Sequence, residues 1–558
     1  MRKMALITAL VLWAAQAGAA TYYIDPSCGS SGDGSTTSCG AHGPFTSWSK
    51  VTWAAGNSYC QKGGTTAYEQ VTVGASGTPK RPIVITSYGT GRARLNGGIV
   101  IPPGAWKKND PVAGVYSTRH FGYNLLEDGI FLKYASSSHC TDGNFYQVRA
   151  SSQDYYRPSR GVPANHVVER MRRAGIQLGT NSYVEIANFS FEKFRYGITG
   201  NAVRSGTTNS HITVTGNKFS NLEFGVWINF NDAVSHAITV RDNEFDHLFT
   251  SISLQNQGNC QSNGDHDRAA ISGNVISHCS EVRGAEGAYG WEEVDTAGWD
   301  MEGIGLQDLI NSKVDHNNIS GICRGIVMYT CARGESYNNR FSFNRIVTDR
   351  TPLVFQPKFT DPPAKSFYNN RASFNLLIGG KKGGSSSGLY LTNVPVPSAP
   401  DEDKKCNCIF NNTIIPAING IYSDTTSDYY RIMNNIIFGA VNYQIVQIGP
   451  SAPAHIIYNH NLYLGKSWTK FYTNNGAAFD FARWQALGEN YDAKSPTPAN
   501  PLFSDAKGEV YTLSSASPAR QPGAQLDPDA DCSCRAALQG TGDIGAFPLP
   551  LPQKPSKP

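Results

Sequence analysis

Nine asparagines set the terms on which this chain can fold. From about Ser210 onward one pattern returns: an apolar residue, two of any kind, an asparagine, one of any kind, then another apolar residue. The copies are Val214/Asn217/Phe219, Val240/Asn243/Phe245, Ile271/Asn274/Ile276, Val314/Asn317/Ile319, Phe341/Asn344/Ile346, Ala372/Asn375/Leu377, Ile409/Asn412/Ile414, Ile432/Asn435/Ile437 and Tyr458/Asn461/Tyr463. Successive asparagines lie 26, 31, 43, 27, 31, 37, 23 and 26 residues apart. The short strands between such turns cannot bury an apolar face alone, and stacking one coil on the next supplies that burial. The spacing therefore predicts a parallel β-helix, with its floor of 23 residues as one coil. An asparagine at the same turn of every coil is expected to hold a left-handed backbone while its amide bonds to the coils above and below.

A second strand type follows most of these turns, in YGIT (Tyr196 to Thr199), FGVWI, TSISL, EGIGL, RGIVM, SGLYL and NGIYS. Alternation sends one set of side chains inward and the other to the outer face. The outward set includes Asn229, Gln255, Gln307, Tyr329, Gln356 and Asn393. In register, they predict a polar strip along one flank.

The ends differ. Residues 1–20 join Arg2 and Lys3 to an apolar run closing in Ala17 and Ala19, the pattern of an export signal. No later run reaches the roughly 18 apolar residues of a membrane span, so a secreted or periplasmic protein without an integral membrane segment is expected. Residues 21–104 read as an N-terminal cap, with an amphipathic stretch around Trp48, Val51 and Ala55, followed by the first coils. Residues 105–167 carry aromatic, period-2 segments and read as an antiparallel insertion. The β-helix proper spans 168–470 with a long loop at 277–302. Residues 471–548 hold a helix capped by Asp480, with Phe481, Trp484 and Leu487 on one face, and closing strands. Residues 549–558 read as a disordered tail.

Twelve cysteines in an exported chain favour disulfides, with Cys28–Cys39 and Cys323–Cys331 as local pairings. The C-x-C pairs Cys406/Cys408 and Cys532/Cys534 lack zinc-knuckle spacing, and no metal site is expected. The DPDAD run, Asp527 to Asp531, leaves calcium open as a cofactor, although no glutamate completes a loop. The formal charge of +4 falls to about +2 once Arg2 and Lys3 leave, too small to imply a nucleic-acid partner.

TYYIDPS with its glycine-rich loop, the coils above, and the closing segments FARWQAL, NPLFSD, SPAR and DIGAF resemble the exported right-handed β-helix proteins of the pectate-lyase-like superfamily. The resemblance spans nearly the whole mature chain. It implies an all-β fold, a single right-handed parallel β-helix with a small antiparallel insertion near the N-terminus. It leaves the chemistry open, since relatives include lyases, hydrolases, epimerases and proteins of no known activity.

The 43-residue spacing is the outlier, and its insertion reads GAEGAYGWEEVDTAGWDMEG. It gathers carboxylates, which can move protons, with Trp291 and Trp299, which can stack on sugar rings. Asp300 and Glu302 share a side if the chain is extended. A kink at Gly303 would turn Ile304 and Leu306 inward and leave Glu302 on the outer face with Gly305 and Gln307. The D-M-E-G segment resembles the N-T-D-G motif of the polygalacturonase family, with Glu302 matching its acid and Asp300 its asparagine. One coil later the family's paired acids are replaced by Cys323 and Arg324.

The catalytic candidates are thus Asp300, Glu302 and Arg324. Asn229, Gln255, Trp291, Trp299, Gln307, Tyr329, Gln356 and Lys358 are expected to bind substrate. A monomer hydrolysing a polysaccharide or oligosaccharide through paired carboxylates is the first reading. The alternatives are a lyase acting on a uronate polymer by β-elimination, where Arg324 would neutralise the uronate, and a non-catalytic glycan-binding or surface protein.

Overall fold

The computed structural model describes residues 19–545 apart from 109–111, 120–123, 136–137, 149–150, 202–208, 231–234, 257–265, 280–301, 331–333, 358–365, 380–386, 393–405, 424–428, 449–455, 466–469, 474–477, 507–509, 521–522 and 525–540. Thirteen parallel strands, from Thr21–Ile24 to Ile457–Asn459, form one face of the solenoid. A second, 26-stranded sheet supplies two more faces by bending, and five short strands from Ser235–His236 to Ser366–Tyr368 form a further parallel sheet. Among the described residues no helix is long and apolar enough to cross a membrane.

The asparagine ladder is continuous. Each backbone N–H from Asn217 to Asn435 donates to Oδ1 of the next coil's asparagine at 2.9–3.2 Å. Each Nδ2 also donates to a carbonyl of the coil before, as Asn344 does to Val314 O at 2.8 Å. All nine asparagines are buried. At the far end Asn461 passes to Ser495 Oγ and Asp492 Oδ1. Asp492 also accepts from Tyr463 and Trp484, and burial raises its pKa.

The left-handed residue is not the ladder asparagine. It is the residue immediately before: Gly216, Asp242, Gly273, His316, Phe343, Phe374, Asn411, Asn434 and His460 all have φ between 52° and 65°. The preceding residue makes the turn, which leaves the asparagine free to bond in both directions along the axis. A second, shorter ladder runs through Asn339, Asn370 and Asn407 at another corner.

The apolar residue after each ladder asparagine stacks in the core. Phe191, Phe219 and Phe245 lie 4.8 and 4.7 Å apart with planes within 6°, the separation of adjacent strands. Trp48 closes one end of the core, its indole donating to Gln61 Oε1 at 2.7 Å. Trp484 closes the other, stacked on Phe471 at 4.8 Å. Asp480 caps the helix Phe481–Gln485, but Leu487 falls past its end and is exposed, so it does not share the buried face.

The stretch after the first coils forms a five-stranded sheet, antiparallel but for one pair, between Lys107–Lys108 and Gln153–Arg157, around Trp106, Phe145 and Tyr156. Cys28 pairs with Cys39. Cys323 pairs with Cys279, one coil earlier, and not with Cys331. Cys406 and Cys408 are disulfide-bonded too.

Candidate active site

The second strand type bends at its glycine. Gly175, Gly197, Gly225, Gly303 and Gly325 stack in register. A Cβ at Gly197 or Gly303 would stand 2.7 or 2.8 Å from the next coil's carbonyl oxygen, so those coils have no room for a side chain there, although Ser251 stands in the same column between Gly225 and Gly303. The residue just before the glycine forms a row of its own: Tyr196, Phe224, Thr250, then Glu302 and Arg324. Its glutamate and arginine stand side by side, register partners on neighbouring strands.

Glu302 lies as the kink at Gly303 predicts. Ile304 and Leu306 are fully buried in the core, and the Glu302 carboxylate folds over the outer face of Gly305, where a Cβ would fall on its Oε2. Arg324 Nη2 donates to Glu302 Oε1 at 2.9 Å and to the Tyr329 hydroxyl at 2.5 Å, while that hydroxyl donates to Glu302 Oε1. Arginine, carboxylate and phenol thus form a closed triangle. Burial, then the charge of Arg324, lowers the pKa of nearby Arg350, which sequence reasoning did not single out. The Cys279–Cys323 disulfide anchors the residue next to Arg324 to the strand that leads into the long insertion.

The predicted strip holds in register: Asn229 opposite Gln255, Gln307 opposite Tyr329, Tyr329 opposite Gln356. It is not an open groove, because Glu302, Tyr329, Asn229 and Gln356 are buried. Asp300, Trp291, Trp299, Lys358 and Asn393 lie outside the described residues, as does the DPDAD run.

Two features of this face escaped the sequence reading. Trp227, two strands before Gly305 in its row, stands with Tyr196 and Phe224, its ring edge-on to both at 5.6 and 4.3 Å. FGVWI gave the signal, since alternation puts Trp227 outward with Asn229. The second feature is a set of buried polar atoms that find no hydrogen-bond partner among the described residues: Ser253 Oγ, Gln356 Oε1 and Ser387 Oγ. Such an atom costs about 1–3 kcal/mol, and all three lie within two strands of Glu302 or Arg324 in register. A cleft of about 330 Å³, lined by Gly321, Thr348, Asp349, Gly379, Ile415 and Pro416, opens at the neighbouring bend.

Asp246, His247 and His278 bring together donors of the kind a transition metal takes. Both Nδ1 atoms donate to Asp246 Oδ1, at 2.9 and 2.8 Å. The rings stack at 4.2 Å and 20°. The ligand atoms of the three residues all lie within 4.8 Å of one another. His211 and His316 likewise sit at coil turns, and His236 ends a short strand beside one.

Comparison with known proteins agrees with the fold. The family model for NosD, a periplasmic copper-binding protein, matches residues 160–376, less than half of the chain. No curated protein matches. Among solved structures, XylC in complex with xylose superposes with a TM-score of 0.52 at 12% identity, covering 82% of this chain and 86% of that one. A glycoside hydrolase gives 0.37 at 11% identity (85% and 99% covered) and pectate lyase Pel9A 0.35 at 14% (95% and 96%). The chain has the fold of a right-handed parallel β-helix, all-β but for its short helix.

Proposed function

We propose that this chain is an exported, carbohydrate-active enzyme that cleaves a glycan lying across the strands of the bent sheet, with Glu302 at the point of cleavage. The Glu302–Arg324–Tyr329 triangle carries the reading. It sets a carboxylate, a fixed cation and a phenol within hydrogen-bond reach of one another on the outer face of a rigid sheet. On this reading the reaction is hydrolysis: Glu302 and Asp300 are the two carboxylates, and Arg324 holds Glu302 in place and ionised. If both act on one glycosidic bond, a separation of about 5 Å between them goes with retention and about 6.5–9.5 Å with inversion. Gln307 and Asn229 orient hydroxyls, and Gln255, Gln356 and Lys358 extend the binding strip. The periplasmic location of the NosD family agrees with the N-terminal export signal. The Asp246/His247/His278 set supplies no metal chemistry to this reading.

The 2.5 Å contact between Arg324 and the Tyr329 hydroxyl supports a second reading. Tyr329, once deprotonated, can take the proton α to a uronate carboxylate, with Arg324 and Arg350 neutralising that carboxylate. The mature protein incubated with neutral and acidic polysaccharides separates the two. Hydrolysis yields reducing ends alone, whereas elimination yields reducing ends together with ultraviolet-absorbing unsaturated uronates. Release of neither from any polysaccharide would reject both and leave a glycan-binding protein.

A further inference from the structure

We infer that Trp227, Ser253 and Gln356 form glycan-binding subsites on either side of Glu302, so that the bound sugar chain crosses at least five strands at a slant to the solenoid axis. The inference rests on the reading of Glu302 as the point of cleavage.

Register fixes the order. Ser253 pairs with Gly305, the residue over which the Glu302 carboxylate lies, and Trp227 pairs with Ser253 on the other side. In the opposite direction Tyr329 pairs with Gln356, two residues further along its strand than Val354, which continues the row of Trp227 and Ser253. With strands about 4.8 Å apart, Trp227 and Gln356 stand about 20 Å from each other with the triangle between them. Ser253 is fully buried and Gln356 nearly so, yet Ser253 Oγ and Gln356 Oε1 have no hydrogen-bond partner among the described residues. The ladder asparagines, by contrast, pair at every coil. Ser387 adds a third such atom in the row of Glu302 and Arg324. A hydroxyl-rich ligand completes both kinds of atom, donating to the amide oxygen and exchanging bonds with the serine.

Trp227 is partly exposed. The aromatic rings of Phe224 and Tyr196 meet it edge to face, which fixes the indole at the rim of the row. A flat apolar ring with one polar N–H suits the apolar face and equatorial hydroxyls of a pyranose. The ligand class is therefore a chain of pyranose sugars.

The test measures binding apart from cleavage. The Glu302→Gln protein and its Trp227→Ala, Trp227→Phe, Ser253→Ala and Gln356→Ala derivatives are run in native gels cast with polygalacturonate, xylan or alginate, and their thermal unfolding is recorded alongside. The Glu302→Gln protein should be retarded by at least one polymer. Trp227→Ala should weaken that affinity about fivefold, with Trp227→Phe in between. Ser253→Ala and Gln356→Ala should weaken it about threefold each, with the unfolding midpoint unchanged or raised, because neither loses a bond within the protein. Unaltered affinity, or a lowered midpoint in both polar variants, would overturn the inference while leaving the cleavage reading intact. Weakened binding in a protein whose unsubstituted form cuts nothing would uphold the subsites and reject cleavage. Retardation by none of the polymers, together with no cleavage, would reject both.

Discussion

Two columns of residues climb the same solenoid and behave in opposite ways. At the ladder corner every coil repeats one asparagine, and each buried polar atom there finds a partner in the coil above or below. At the glycine bend the row before the glycine changes from coil to coil, from Tyr196 and Phe224 through Glu302 and Arg324 to Ser387 and Asn419. Polar atoms on the face beside it are left unpartnered. A position that every coil must satisfy in the same way builds the column. A position held rigidly by its neighbours, yet free to differ, is where chemistry can be placed.

Substitutions that respect or ignore this division should separate. Glu302→Gln keeps the shape and one hydrogen-bonding oxygen, so it is expected to cut the rate of cleavage about a thousandfold while the protein still unfolds as one cooperative unit. Full activity in this variant would remove Glu302 from the reaction. Asn344→Ala should do the reverse. It strips a buried amide that accepts from Asn317 and donates to Val314 and Asn375, and should lower stability by about 3 kcal/mol in chemical denaturation. The fraction that remains folded should cleave at the normal rate.

Gly325→Ala crosses the division. Its Cβ would meet the Pro352 carbonyl and the Ile346 side chain, at a cost of about 1–3 kcal/mol. It should also shift the neighbouring Arg324 and reduce activity in the folded protein. A stable, fully active variant would show that the bend does not position Arg324.

The smallest effect belongs to the antiparallel insertion, which is off both columns. Asp154 is fully buried there with one oxygen bonded to Gln147, and burial raises its pKa to about 7. A carboxyl whose folded pKa is raised contributes stability that is complete below the unfolded value of about 4 and lost as pH rises through the folded one. His166 acts in the same direction. It donates to Asp128 Oδ2 at 2.8 Å and to Arg160 O at 2.7 Å, and the bond to Asp128 raises its pKa. Stability of the insertion should therefore fall as pH rises from about 4 to about 7 through Asp154, with the part due to His166 lost above its ordinary value of about 6.5, and Asp154→Asn should flatten the fall between about pH 4 and 7 in a series of denaturation curves. An unchanged pH profile would exclude Asp154 as its source.

The ladder was legible because its asparagine is identical in every copy and flanked by apolar residues at fixed offsets. The bend was legible in part, since the strand glycines and the kink at Gly303 could be read directly. The left-handed position was assigned one residue too late. It is filled by Gly216, Asp242, His316 or Phe343 in turn, so composition carries no signal for it. Cys279 and Cys323 are 44 residues apart in sequence and 5.6 Å apart between Cα atoms, a proximity created by the coil that local spacing hides. Ser253 and Trp227 were missed because their relation to Glu302 depends on register carried across the long insertion.

The most direct test of a reactive row built on a uniform column is a crystal structure of the Glu302→Gln protein with an oligosaccharide it binds. The account predicts a sugar chain across the strands, stacked on Trp227, bonded to Ser253 Oγ and with a glycosidic oxygen beside residue 302. A chain seated instead in the cleft between Gly321 and Pro416, with Ser253 and Gln356 still unpartnered, would contradict it.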